Sequence, residues 1–277
     1  MERLLSVFAG LASVVPRPLQ ISTEEHLPMI IEQPAKFLRW LYPHALWRMD
    51  PHERAVYLTF DDGPIPEVTP WVLSVLDHYG IKATFFMVGD NIRKHPLEFE
   101  MVKAAGHRLG NHTFNHIGGL RHGISSYVRN VNKANVYLKT DLFRPPHGWM
   151  KWEQYVFVKQ RYRVVMWDLV TRDYSKRLNG YDVLHNVQRF ARPGSIITFH
   201  DSVKSFDKLL FALPRSIEWL MAQGYEFKVF ENRGSPPRLF CMRSRPSRPV
   251  ARGYRRALSP LARSRMPGRY VLFGQQP

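Results

Sequence analysis

The sequence predicts an α/β fold in which a parallel sheet is closed into a (β/α) barrel. Short apolar runs alternate with amphipathic stretches from Ala55 to Phe230, and this order is typical of strands joined by helices. Chemically useful side chains directly follow the ends of several of these runs, and barrels carry their active sites at that end of the strands. The side chains are those of Asp61, Asp62, His112, Arg144, Asp168 and His200.

Residue periodicity places the individual elements. Strands are expected at 56–60, 83–88, 107–110, from 142 onward, and at 164–167, 195–199 and 226–230. Helices are expected at 67–79, 96–105, 124–138, 152–160, 181–190 and 209–223. Helices and strands thus alternate along most of the chain, as a barrel requires.

The chain is predicted to have four parts. Residues 1–28 are a leader or precede a true start at Met29, and residues 29–54 form an apolar, partly helical extension on the outside of the main domain. Residues 55–231 form the main domain, and residues 232–277 a disordered tail rich in Arg and Pro. If residues 1–28 are a secretory signal, the protein belongs in a bacterial envelope or periplasm, and otherwise in the cytoplasm. No apolar run is long enough to span a bilayer.

The formal charge of +17 lies mainly in the tail. Residues 232–277 hold 11 Arg and no acidic residue, so of 40 basic residues 29 remain against 23 acidic ones. The main domain is therefore only mildly basic, and polyanion binding is an alternative function for the tail alone. The single cysteine, Cys241, excludes a fold held together by disulfides within the chain.

Two clusters indicate metal chemistry. Asp61 and Asp62 follow a strand and precede a Gly-Pro turn, so one carboxylate can bind a cation while the other faces a substrate, although such a sequence is also an ordinary turn. His112 and His116 lie four residues apart, and on one helical turn both would face one cation. The alternative is a pair of polar surface histidines.

Three further segments carry polar groups at strand ends. Arg144 begins a stretch, Arg-Pro-Pro-His-Gly, whose prolines would hold the guanidinium rigidly against a carboxylate. Asp168 and Asp173 follow another apolar run, where either is a candidate acid or a helix cap. His200 ends a buried strand and is either a functional or a structural histidine.

Taken in order, these motifs resemble the polysaccharide deacetylases with a NodB-homology domain, carbohydrate esterase family 4. That family has Thr-Phe-Asp-Asp-Gly, His-Ser/Thr-x-x-His, Arg-x-Pro, an Asp-Trp segment and an apolar strand ending in His. The matching segments here are Thr59–Gly63, His112–His116, Arg144–Pro146, Asp173–Tyr174 and Ile197–His200. The resemblance covers about residues 55–230 and implies a distorted, commonly seven-stranded (β/α) barrel.

The resemblance also implies roles for individual residues. One divalent metal ion is expected, zinc first, with cobalt, nickel and manganese as alternatives. Asp62, His112 and His116 would be its ligands, and the main-chain N–H of His147 would stabilise the oxyanion. The expected catalytic residues are the base Asp61, oriented by Arg144, and the acid His200, tuned by Asp173.

The resemblance implies hydrolysis of N-acetyl groups on glycans that contain N-acetylglucosamine. This chain departs from the pattern at His147, where the family usually has Tyr, and at Tyr174, where it usually has Trp. Two alternatives stay open: the same metal site acting on another acyl ester or amide, and a barrel that binds glycans without turnover. The expected partner is an N-acetylated polysaccharide or oligosaccharide, with no specific nucleic acid and no transmembrane span.

Overall fold

A computed structural model describes residues 32–34 and 36–232, so the predictions for residues 1–28 and for most of the tail lie outside the described residues. The strands are β1 (Ala55–Asp61), β2 (Thr84–Met87), β3 (Arg108–Asn111), β4 (Leu142–Phe143), β5 (Arg163–Val164), β6 (Leu169–Val170), β7 (Ser195–His200) and β8 (Glu226–Phe227). The helices are α1 (Lys36–Leu41), α2 (Thr69–His78), α3 (Gly89–Lys94), α4 (Pro96–Ala104), α5 (Ile124–Leu138), α6 (Trp152–Val158), α7 (Gly180–Phe190) and α8 (Phe206–Ala222).

The strands form one parallel sheet. Seven of them follow one another in the order β5-β4-β3-β2-β1-β7-β6, and the eighth, β8, pairs with the start of β1. All seven residues of β1 are buried, because β1 lies in the middle of the sheet and has elements packed on both faces. The expected barrel of alternating strands and helices is confirmed. Helix α3 was not predicted, since its six residues are too few to show a clear period.

The sheet curls because its two edge strands are neighbours in sequence. Only residues 165–168 separate β5 from β6, and four residues span roughly 14 Å at most. The strand expected at 164–167 is present as β5 but ends earlier, at Val164, and the rest of the apolar run crosses the gap between the two edges. Val165 and Met166 in the crossing are fully buried, which explains why it resembles a strand in sequence.

An N-terminal segment, residues 32–34 and 36–48, packs along this gap. Leu46 forms a bridge with Val165, and Arg48 forms one with Ser195 at the start of β7. Helix α1 lies outside, with the side chain of Trp40 79% exposed, but Tyr42 and Trp47 are buried. The segment is thus more than the external helix expected from the sequence. None of the helices in the described residues is long and apolar enough to cross a bilayer.

Candidate active site

The two adjacent aspartates lie at the carboxyl end of β1, where the chain turns sharply. Asp61 is the last residue of the strand, and Asp62 has a left-handed backbone with φ of 85°. The side chain of Asp201 holds the turn, because its Oδ1 accepts the N–H of Gly63 at 3.0 Å. Gly63 has no room for a side chain, since a Cβ would lie 2.0 Å from Asp201 Oδ2. The turn therefore fixes the two carboxylates in different directions.

Arg144 holds Asp61 from inside the barrel. Its side chain is 1% exposed, and its Nη1 donates to Asp61 Oδ1 at 2.7 Å and to the Thr59 hydroxyl at 2.8 Å. The Nη2 and Nε groups donate to the carbonyls of Met166 and Val165 at 2.7 and 3.2 Å. Because four acceptors surround it, the buried guanidinium is fixed, and so is the carboxylate that it pairs with.

Asp62 faces two imidazoles. One oxygen of Asp62, one ring nitrogen of His112 and one of His116 all lie within 4.8 Å of one another. Asp62 Oδ1 is 3.1 Å from His116 Nε2 and 3.8 Å from His112 Nε2, yet this buried oxygen has no hydrogen-bond donor among the described residues. A buried carboxylate oxygen without a donor is costly. A divalent cation between the three groups would satisfy it, so the donor set fits a metal ion.

The orientation of His112 fits that interpretation. Its Nδ1 lies 2.9 Å from the carbonyl oxygen of Arg144, to which it donates, so Nε2 carries the lone pair that faces Asp62. Burial lowers the pKa of His112 to about 4, and the ring is therefore neutral at pH 7. Burial by itself would raise the pKa of Asp62, but the neighbouring imidazoles, His116 first, keep it well below its usual range.

The expected helical turn at 112–116 is wrong. These residues form a loop after β3, in which Thr113 and His116 have left-handed backbone angles with φ of 65° and 52°. Side chains hold the loop: Asn111 Oδ1 accepts the N–H of Thr113 at 2.9 Å, and the Thr113 hydroxyl accepts that of Ile117 at 3.1 Å. The two imidazoles still meet, with ring centroids 5.0 Å apart.

His200 and Asp173 form a second pair on the other side of β1. Asp173 is fully buried, its Oδ1 lies 2.8 Å from His200 Nδ1, and its Oδ2 accepts the main-chain N–H of His200 at 2.7 Å. Burial lowers the pKa of His200, but the Asp173 carboxylate outweighs this effect and raises the pKa to about 9. Because Nδ1 is bound to Asp173, Nε2 is the nitrogen left to carry a proton to a substrate.

Position after the apolar run left Asp168 and Asp173 as equal candidates, and only the resemblance to the family selected Asp173. Asp168, one of the two candidate acids, is fully buried in ion pairs with Arg39 and Arg192 and accepts a hydrogen bond from Ser195. Asp201, which the sequence did not single out, holds the turn beneath the aspartates. Its only signal in the sequence is its place directly after His200.

Most of the residues with a strained, left-handed backbone lie around this site. Among the described residues other than glycine, six have positive φ, and five of these lie in or beside the groups just described. The five are Asp62, Thr113, His116, His147 and Arg172. Each costs on the order of 1 kcal/mol relative to a right-handed conformation, and such residues concentrate at functional sites.

All the site residues that the resemblance implies, except Asp173, line one cavity of about 400 Å³, and Asp173 lies directly behind His200. The ring of His147 packs edge-on against His116 at 4.9 Å, so this side chain also borders the cavity. Tyr174 packs edge-on against His200 at 4.9 Å and keeps an aromatic wall where the family usually has Trp. The cavity thus brings together a candidate metal site, a carboxylate and a histidine that can donate a proton.

Fold and site together define a barrel enzyme of the hydrolase class, with its polar groups at the carboxyl ends of the strands. Residues 48–157 match the sequence model of the family described as polysaccharide deacetylase. A chitooligosaccharide deacetylase from Sinorhizobium fredii is 33% identical over 190 residues, which cover 62% of this chain and 87% of the relative. The chain belongs to the polysaccharide deacetylase family, carbohydrate esterase family 4.

Solved structures agree with this assignment. A peptidoglycan N-acetylglucosamine deacetylase superposes with a TM-score of 0.64 at 27% identity, covering 69% of this chain and 94% of that one. A family 4 pseudoenzyme from Bacillus anthracis superposes with a TM-score of 0.61 at 25% identity, covering 67% and 66% of the two chains. Since that relative is described as a pseudoenzyme, the groups present in the cavity matter more to the reaction than the fold does.

Proposed function

We propose that this polysaccharide deacetylase removes N-linked acetyl groups from glycans that contain N-acetylglucosamine, and that it uses a divalent metal ion held by Asp62, His112 and His116. The observation that carries the proposal is the buried, donor-free oxygen of Asp62 beside two imidazole nitrogens. The names of the relatives, a chitooligosaccharide deacetylase and a peptidoglycan N-acetylglucosamine deacetylase, support this class of substrate.

An ion bound there supplies Lewis acidity toward the acetyl carbonyl and toward water. Asp61 is assigned as the base, because Arg144 occupies its Oδ1 and leaves its other oxygen to accept a proton from the attacking water. The water oxygen bonds to the acetyl carbon while negative charge develops on the carbonyl oxygen. The main-chain N–H of His147 is assigned to stabilise that charge.

His200 is assigned as the acid that completes the reaction. Its Nε2 gives a proton to the sugar nitrogen as the carbon–nitrogen bond breaks, and the products are acetate and a free amine. Asp173 keeps the proton-bearing tautomer in place and stabilises the charged ring. No nucleophilic Ser or Cys is needed, since water adds directly to the acetyl carbon.

The test is acetate release by the full chain from N-acetylglucosamine oligomers and, separately, from O-acetylated sugars, before and after chelation and after separate return of zinc, cobalt, nickel or manganese. We expect activity to disappear with the chelator and to return with a divalent ion, zinc first. Unchanged activity in protein shown by mass spectrometry to be free of metal would refute the metal requirement. Release only from O-acetylated sugars would instead refute the assignment of the acyl bond.

A further inference from the structure

The turn that carries Asp62 needs support from the rest of the fold. Asp62 has a left-handed backbone with φ of 85°, a conformation that is unfavourable for a residue with a Cβ. Such a residue keeps its conformation only where the surrounding structure holds it. The groups that hold the main chain at Asp62 therefore decide whether its carboxylate faces His112 and His116.

Two side chains hold the peptide unit between Asp62 and Gly63. The carbonyl of Asp62 accepts a hydrogen bond from Asn91 Nδ2, on α3, at 2.8 Å. The N–H of the same peptide, that of Gly63, donates to Asp201 Oδ1 at 3.0 Å. In addition, the carbonyl of Gly63 accepts the N–H of Val88 at 3.0 Å. The peptide that follows Asp62 is thus fixed at its oxygen and at its nitrogen, by side chains of two separate segments.

Asp201 supports this turn without lining the cavity. It is fully buried, and its Oδ2 lies 2.8 Å from the hydroxyl of Thr69, at the start of α2. Its main-chain N–H donates to the carbonyl of Asp61 at 3.1 Å. Both carboxylate oxygens and the main-chain N–H of Asp201 are therefore bound to the segment from Asp61 to Thr69. Because these contacts surround the turn, Asp201 can act on a bound metal ion only through the position of Asp62.

We propose that Asp201 and Asn91 are positioning residues for Asp62. By fixing the peptide between Asp62 and Gly63, they direct the Asp62 carboxylate toward the two imidazoles and so determine how tightly the site binds a divalent ion. The direction must come from the main chain, because Asp62 Oδ1 has no donor among the described residues and Lys204, 3.4 Å from Oδ2, is a side chain that is 57% exposed. The proposal rests on the proposed function for the metal ion.

The test measures metal binding, so that it does not depend on turnover. Competition with a chromophoric chelator gives the dissociation constant for zinc, and the visible absorption of bound cobalt reports its coordination. Asp201→Ala should weaken zinc binding roughly tenfold or more and change the cobalt spectrum, as for loss of a group that orients a metal ligand. Asp201→Asn should stay within about threefold of the unmodified protein, since its side-chain oxygen can still accept the N–H of Gly63. Asn91→Ala should show a smaller loss than Asp201→Ala, in the same direction.

Asp168→Ala is the matched control, because Asp168 is also a fully buried aspartate that accepts hydrogen bonds but has no contact with the turn. It should lose stability and keep its zinc affinity. Equal zinc affinity in folded Asp201→Ala and Asp168→Ala would overturn the positioning role.

Two further comparisons complete the test. An equal loss of zinc affinity in Asp201→Asn and Asp201→Ala would overturn the role, since the charge of Asp201 and not its contact with Gly63 would then matter. If Asp201→Ala does not fold, Asn91→Ala decides, and unchanged zinc affinity in that variant overturns the proposal. An unmodified protein that binds neither zinc nor cobalt would refute the proposed metal ion and, with it, the positioning of a ligand.

Discussion

At the scale of single residues, the adjacent aspartates Asp61 and Asp62 differ in the groups that they contact, and this difference suits them to different roles. Asp61 pairs with a buried guanidinium, whereas the buried oxygen of Asp62 faces two imidazoles and has no donor among the described residues. A carboxylate fixed by Arg144 keeps its charge and its direction, whereas a buried carboxylate oxygen without a donor, such as Asp62 Oδ1, is suited to a cation. Replacing Asp62 should therefore affect metal binding, whereas replacing Asp61 should affect turnover alone.

We expect Asp62→Ala to lose the metal ion and with it the activity, and Asp61→Asn to keep the metal and lose activity by about 10²- to 10⁴-fold, as for removal of a general base. Mass spectrometry of bound metal and acetate release measure the two effects separately. The surface variant Asp77→Asn, on α2, serves as the control and should change neither. An Asp61→Asn protein with normal turnover would show that the base is another group.

His107 predicts a dependence of stability on pH away from the site. Its Nδ1 accepts the N–H of Ala83 at 3.2 Å, and burial lowers its pKa to about 4. In the unfolded chain the pKa is about 6.5, so the unfolded state binds a proton first as the pH falls. Stability is then unaffected by His107 above pH 6.5 and decreases between pH 6.5 and 4.

Urea unfolding at pH 7.5 and 5.0 tests this assignment by comparing the protein with His107→Gln, whose side-chain oxygen can accept the same N–H. The unmodified protein should lose about 1 to 2 kcal/mol more than the variant between the two pH values. Parallel losses in the two proteins would mean that His107 is already protonated in the folded state or titrates without effect.

At the scale of the elements, α5 is followed by a residue, Lys139, in a backbone conformation that is unfavourable for any residue with a Cβ. Lys139 follows the helix with φ of 47° and ψ of 44°, and it is exposed. Glycine adopts this left-handed conformation without the steric cost of a Cβ, which is why it is common at helix ends. Lys139 contributes nothing to the cavity that would justify the cost.

Lys139→Gly should therefore stabilise the fold by about 0.5 to 1 kcal/mol, with acetate release unchanged. Arg129→Gly, at an exposed position inside the same helix, is the control: it should have the opposite effect and destabilise the fold by about 1 kcal/mol. Unfolding midpoints in urea measure both changes. Destabilisation by Lys139→Gly would show that the lysine side chain itself contributes to the helix end.

The elements also show which parts of the fold sequence periodicity can predict and which it cannot. It predicted the order of strands and helices well, because burial of one helix face or of a whole strand leaves a regular apolar pattern, as along β1 and α5. It gave the wrong conformation for the loop from His112 to His116, because the left-handed residues there are held by side-chain contacts of Asn111 and Thr113. Spacing alone does not report such contacts.

At the scale of the whole molecule, the edges of the sheet are held together by charges that are distant in sequence. Asp168 lies in the crossing between β5 and β6, and it pairs with Arg39 of the N-terminal segment and with Arg192 before β7. Position after the apolar run did not distinguish Asp168 from Asp173, and only the resemblance to the family selected Asp173; in the structure, partners far along the chain separate the two. Position in the fold therefore decides which of the two acids belongs to the site.

Asp168→Ala should destabilise the protein by about 3 kcal/mol, because two arginines and a buried serine lose their acceptor. Turnover per folded molecule should stay near normal, since Asp168 does not line the cavity. Asp173→Ala should have the opposite balance, with low turnover and a smaller loss of stability. Thermal unfolding and acetate release at low temperature separate the two variants, and a catalytic defect confined to Asp168→Ala would reverse these roles.

The N-terminal segment also determines when the site becomes complete. Its contacts to Met150, Asp168 and Arg172 join residues that are 108, 129 and 140 positions apart in the chain. Contacts at such separations form late in folding, because the entropy of closing a long loop must be overcome first. During synthesis the first residues of this segment leave the ribosome long before their partners exist. The N-terminal segment therefore cannot take its place until residues 150–172 have been made, and the nascent barrel stays open on that side until then.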